Sequence, residues 1–189
     1  RRLDPLIEAC RYQESSSARF PGFGEKLFEW ILPIFSNLGR DDLRLYRAAC
    51  LLHDTTWKAH PDYRAEMSFE TVTRTNLGGI NHQGRIFLAL ALMSRYKKME
   101  VSKEIKVPLK ILGESRAEEA IILGRAMRLG AMVSGTSSVN LKKCILFKRQ
   151  KTLCLNLRKS GKDLGAGIVE RRLKALADGM NMKHSLIIS

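Results

Sequence analysis

Two stretches of this sequence carry more apolar surface than one helix face can hide, and that constrains the fold more than any other feature. "HQGRIFLALALMSRYKK" (82–98) is apolar on nearly every side of the helix it would form, and "RAEEAIILGRAMRLGAMVSG" (116–135) is strongly apolar as well. An ordinary surface helix buries a single stripe, so helices of this kind need neighbours around them and are expected at the centre. With 189 residues, the chain can bury roughly 70% of its unfolded surface, enough to enclose such a pair.

The segments before them read as enclosing helices. Residues 3–13 form a short one, and residues 22–35 a second, with Leu27, Trp30, Ile31 and Ile34 on one stripe and Pro33 bending its end. Residues 40–57 give a third, capped by Asp41, in which Leu43, Tyr46, Cys50, His53 and Trp57 recur at helical spacing and point His53 inward. Pro61 opens a fourth over 61–76, closed by Gly78 and Gly79. After a short connecting segment (104–113), Ser115 can cap the helix that follows.

Beyond residue 138 the apolar period drops toward two. Residues 140–159 read as a hairpin turning at "KRQK", 165–180 as an amphipathic helix stopped at Gly179, and 184–189 as a closing strand. The expected fold is therefore mainly α: a helical domain over 1–137 with a small strand-strand-helix-strand tail over 138–189 packed on it. Cys10, Cys50, Cys144 and Cys154 lie far apart with no CxxC pair and are expected as buried free thiols.

A formal charge of +14 points to a polyanionic partner. Its densest part is the hairpin, where Lys142, Lys143, Lys148, Arg149, Lys151, Arg158, Lys159 and Lys162 occur without one acidic residue between 142 and 162. Only Phe147 could stack on a base there, so a simple polyanion track fits better than a nucleic-acid platform. Arg95, Lys97, Lys98, Lys103, Lys106 and Lys110 form a second group, diluted by Glu100 and Glu104, that reads as a solvated face. No apolar run could span a membrane, and a start at "RRLDPLIEAC" inside an apparent helix reads as a cytoplasmic piece of a longer protein.

One short stretch looks like hydrolase chemistry: "CLLHDTTWKAHPDYR" (50–64) holds His53, Asp54, His60 and Asp62. An adjacent His-Asp pair at an inward-facing helix end can hold a divalent metal once ligands from other helices join it. The expected early histidine is missing from 22–35, where only Glu25 or Glu29 could substitute, so His53 and Asp54 are a degenerate pair and His53 reads as a hydrogen-bonded core histidine. His60 and Arg64 beside the next helix start could meet a phosphate through exposed amides, or be an ordinary solvated helix start. No P-loop, dinucleotide fingerprint, nucleophile elbow or HExxH accompanies them.

"LDPLIEACRYQESSSARFPGFGEKLFEWILPIF", "RLYRAACLLHDTTWKAHPDYRAE" and "INHQGRIFLALALMSRY" together resemble the C-terminal, HD-like region of the exopolyphosphatase / guanosine pentaphosphate phosphohydrolase (Ppx/GppA) family, in its alphaproteobacterial form. The resemblance extends over essentially the whole chain. It implies a parent enzyme that releases terminal phosphate from inorganic polyphosphate or guanosine pentaphosphate, with Mg2+ and the catalytic residues in two preceding actin-like domains. It further implies that this region holds the polymer and contributes to a homodimer, with no cofactor of its own. The polyphosphate-binding residues expected are His60, Arg64, Lys142, Lys143, Lys148, Arg149 and Lys151. Phe23-Gly24 and Tyr96-Lys97 stand where relatives often place histidines. Two other readings stay open: an autonomous HD-type metal phosphohydrolase using His53 and Asp54, and a nucleic-acid-binding or purely dimerising module.

Overall fold

A computed structural model describes residues 3–99, 106–158 and 166–189. Lys103, Lys159 and Lys162, with Glu100 and Glu104, lie outside the described residues. The described chain is mainly α, with three short strands near its C-terminal end.

Helix α1 (Pro5–Ser17) starts where the Asp4 carboxylate accepts the N–H of Leu6 at 3.0 Å. Helix α2 (Phe23–Ile31) gives way to a 3-10 turn (Leu32–Ile34) at Pro33, and α3 (Arg40–Leu52) follows. Asp41 does not cap α3: Gly39 holds that position, and Asp42 accepts its N–H at 3.3 Å. Leu43, expected on the inward stripe, faces solvent. Nor does α3 reach Trp57. It ends at Leu52, and the next residues form successive i to i+3 bonds, Thr55 N–H to Leu52 O and Trp57 N–H to Asp54 O, which tighten the chain into turns.

A 3-10 turn (Pro61–Tyr63) precedes α4 (Arg64–Arg74). Helix α5 (His82–Tyr96) is capped by Asn81, whose side-chain oxygen accepts Gly84 N–H at 2.7 Å. Then come α6 (Lys106–Leu112) and α7 (Glu114–Ser134), which starts after Gly113 and so leaves Ser115 inside it. The two apolar helices are indeed central and mutually packed: Phe87, Leu88, Leu90, Leu123, Met127 and Leu129 are all sealed from solvent. Their closest approach needs Gly124, since a Cβ there would stand 2.5 Å from the Ala91 carbonyl oxygen. Ser94 seals the contact by donating to Ile121 O at 2.9 Å.

Ser137 caps a single extra turn, α8 (Ser138–Leu141), so β1 begins at Cys144 rather than Asn140. β1 (Cys144–Arg149) and β2 (Thr152–Leu157) pair antiparallel, with Leu146 opposite Leu155 and Arg149 opposite Thr152. α9 (Ala166–Gly179) then leads to β3 (Lys183–Ile188), which lies parallel to β2 on its other edge. Parallel neighbours require a crossover, and α9 is that crossover. One hydrophobic core runs from Leu6 through the helices to Leu153, Leu155, Leu173 and Leu176. Trp30 fastens the sheet to α2 by donating its indole N–H to Cys144 O at 2.8 Å. Cys10, Cys50, Cys144 and Cys154 are free and buried. Among the described residues no helix is long and apolar enough to cross a membrane.

Candidate functional site

The His53–Asp54 pair sits where α3 stops, sealed inside the protein. Gly24 makes this junction possible, because a Cβ there would lie 2.6 Å from Cys50 O and hold α2 away from the end of α3. His53 donates its Nδ1 proton back to Cys50 O at 2.8 Å and lies 5.3 Å from the Phe23 ring. Burial, aided by the Arg95 charge, pushes its pKa down to about 3, so the imidazole is neutral. Burial pushes the Asp54 carboxyl up, while Arg95, a backbone bond from Arg19, and the charges of Arg19 and Arg64 pull the other way. Tyr96 adds a bond from its hydroxyl to His53 O at 2.8 Å, and Arg95 lies over the Tyr96 ring at 4.8 Å.

Two atoms at this corner, His53 Nε2 and Asp54 Oδ2, are buried without a hydrogen-bond partner among the described residues. A divalent ion is the ligand that a His-Asp corner suggests, so its fit can be tested on the donors present. One imidazole nitrogen and one carboxylate oxygen do not complete a tetrahedral or octahedral set. Among the described residues no three of His, Cys, Asp and Glu converge. Neither Glu25 nor Glu29 can substitute: Arg11 and Arg47 hold Glu25 at 3.1 and 2.8 Å, and Lys26 holds Glu29 at 3.0 Å. The positive charges acting on Asp54 are those of arginines, Arg95 first and then Arg19 and Arg64. The residues at this corner do not fit a metal centre.

His60 and Arg64 are not brought together around an anion. The Arg64 guanidinium turns back to the carbonyls of Ala59 (2.9 Å) and Trp57 (2.7 Å), strapping the loop between them. His60 is exposed, accepts the Asp62 N–H at 3.4 Å and lies near the Tyr63 ring. The expected helix start at Pro61 is a 3-10 turn, which does not offer the run of aligned amides an anion needs.

The hairpin keeps its charges outside. Lys142, Lys143, Arg149, Lys151 and Arg158 are exposed, whereas Lys148 is half-buried on the side facing the helices and donates to Ser36 Oγ at 3.3 Å. The register sorts these cations into two groups. At the open end, Arg158 N–H bonds Lys143 O at 3.2 Å, with Lys142 alongside. At the tip, Arg149 pairs with Thr152, and Thr152 with Lys183 of β3, while Lys183 N–H bonds Lys151 O at 2.9 Å. Arg149, Lys151 and Lys183 thus gather at one end of the sheet. A six-residue strand separates the two groups by about 15–20 Å.

Sequence reasoning missed Lys183, because only the parallel pairing of β3 brings it to the tip. It also missed Arg128 on α7 and Arg172 on α9, which line one cavity; burial and then the Arg172 charge depress the Arg128 pKa. A signal existed: neither arginine has an acidic residue three or four positions away in the sequence.

The family model described as exopolyphosphatase, C-terminal, matches residues 6–187. A search of curated proteins finds no match.

Proposed function

The chain belongs to the family of exopolyphosphatase C-terminal regions, and we propose on that premise that it holds an inorganic polyphosphate chain along the outer side of its sheet. The observation that carries this reading is the pair of cation groups at the two ends of the hairpin, Lys142, Lys143 and Arg158 at one and Arg149, Lys151 and Lys183 at the other. Residues 142 to 158 contain no carboxylate of their own. A monophosphate can satisfy one group only, whereas a polymer can lie across both and gains from each contact. Long flexible lysines and arginines suit a ligand without side-chain identity, since the backbone of phosphates is all there is to read. Phe147, the aromatic of the hairpin, is half-buried, which favours an inorganic polymer over stacked bases.

Within this reading the chain grips polyphosphate and does not cleave it, because the His53–Asp54 corner lacks the donors for a metal-activated water. Lys148 supports the sheet through Ser36 rather than lying on the track, His60 stands at the turn before α4, and Arg64, the first residue of α4, is engaged with the carbonyls of Ala59 and Trp57.

Polyphosphates of graded length test the proposal. Affinity should rise steeply until the polymer is long enough to reach both ends of the hairpin and then level off. Equal affinity for tripolyphosphate and long-chain polyphosphate at the same phosphoryl concentration would overturn it, as would equal affinity for RNA and polyphosphate.

A further inference from the structure

A second cation cluster lies away from the hairpin, in a small cavity of about 70 Å³ between α5, α7 and α9, lined by Ser94, Lys97, Lys98, Arg125, Arg128 and Arg172. No described carboxylate lines it. Lys97 meets Glu66 at 3.5 Å, and Asp178, whose charge reaches Arg125, is itself paired with Lys174 at 2.8 Å. Arg125 is fixed in place by donating to Ala175 O at 3.0 Å and Met99 O at 3.4 Å. Arg128 and Arg172 have no hydrogen-bond or ion-pair partner among the described residues, and the Nε of Arg172 is a buried donor with nothing to bond.

We infer that this cavity is a discrete site for a single phosphoryl group, with Arg128 and Arg172 as its principal ligands and Arg125 as a preset third cation. Like charges facing one another in a half-buried cavity oppose folding unless something negative joins them. Burial first, and then the charges of Arg172 and Arg95, bring the Arg128 guanidinium down to about 10. A tetrahedral oxyanion resolves both problems, since guanidinium forks match its oxygens and supply charge-assisted bonds to them. Size sets the class of ligand. The cavity exceeds the space of a water but falls well short of the roughly 300 Å³ at which sites for larger organic ligands begin, so a nucleoside does not fit inside.

This inference deepens the polyphosphate reading and rests on it for the phosphoryl identity of the anion, but it uses none of the hairpin cations. Functionally, it gives the chain a fixed seat for one phosphoryl unit besides an extended track, so inorganic phosphate alone should bind.

The test is calorimetric titration of the whole chain with inorganic phosphate at constant ionic strength, with thermal unfolding followed in parallel. One saturable equivalent should bind, sulfate should compete, and acetate should not. R128Q/R172Q should weaken phosphate binding at least about tenfold, as expected for losing two charge-assisted contacts, without lowering the unfolding temperature of the ligand-free protein. Should the double variant fail to fold, R128K and R172K keep the charge but lose the fork, and each should weaken phosphate several-fold. Absence of saturable binding, or binding unchanged in all these variants, overturns the site. The two readings fail separately. Saturable phosphate binding combined with polyphosphate affinity indifferent to hairpin charge reversal would sink the track alone. Hairpin-dependent polyphosphate binding without a saturable phosphate site would sink the cavity alone.

Discussion

At the end of α3 a histidine and an aspartate are enclosed by Phe23, Tyr96 and Arg95, while at the tip of the hairpin Arg149, Lys151 and Lys183 stand in solvent with no carboxylate nearby in the strands. Both regions are rich in ionisable groups, and desolvation separates their roles. At the corner, burial makes the imidazole neutral and the charges that remain are countered from within the protein, so polar chemistry there holds helices together. On the hairpin the charged ends stand in solvent, so they can exchange counterions for a polyanion. A residue type that suggests catalysis in a sequence can thus be structural when sealed, and a bland lysine is available to an anion when its neighbours leave it uncompensated.

The largest expected break of this contrast is to place a fixed charge inside. His53→Lys puts an ammonium where the imidazole is neutral and should cost about 3–5 kcal/mol of stability, the range for an unpaired buried charge, as read by denaturant unfolding. A charge change of the same size on the hairpin should move stability by no more than about 0.5 kcal/mol.

Acid provides the same perturbation without mutation. Unfolded, the imidazole protonates near 6.5, but folded only near 3. Below pH 6.5 the unfolded chain therefore holds more protons, and stability should fall by about 1.4 kcal/mol per pH unit as pH drops through that window. Asp54 and the buried Glu14, whose Oε1 accepts the Gly24 N–H at 2.8 Å, are raised by burial and act oppositely: the folded state holds their protons more tightly, so their contribution is present below the ordinary carboxylate range and lost as pH rises through the folded pKa. His53→Gln should flatten the slope between pH 6.5 and 5, and an unchanged slope would place its origin elsewhere.

On the outer side, reversing Arg149, Lys151 and Lys183 to glutamate should weaken long-chain polyphosphate at least about tenfold near physiological salt and flatten the salt dependence by about two in log–log slope. Lys148→Gln should change affinity far less, because that amine is turned to Ser36. Unchanged affinity in the triple variant would remove the tip from the binding surface. Trp30→Phe deletes the bond to Cys144 O and should have a smaller effect, about 1 kcal/mol of stability, while leaving polyphosphate affinity intact.

Much of this division was legible beforehand. The apolar periods of α5 and α7 placed them at the centre, and the "KRQK" turn placed the hairpin, although the turn is made with Gln150 at a φ of 53° rather than with glycine. The end of α3 was not legible, because the inward spacing of His53 is the same whether the chain continues as a helix or, as it does, folds back on Cys50 O. The function of Arg64 was obscured for a similar reason: only the carbonyls of Trp57 and Ala59, positioned by the turns before it, show that its guanidinium is engaged. Lys183, Arg128 and Arg172 depend on α9 crossing back over the sheet, and no local pattern encodes where a crossover brings residues so far apart in sequence.

The most direct measurement is the affinity of the intact chain for long-chain inorganic polyphosphate from low to physiological ionic strength. Capture by the exposed cations predicts tight binding at low salt and a straight, steeply falling line of log affinity against log salt. A flat line, or no binding at low salt, would contradict it.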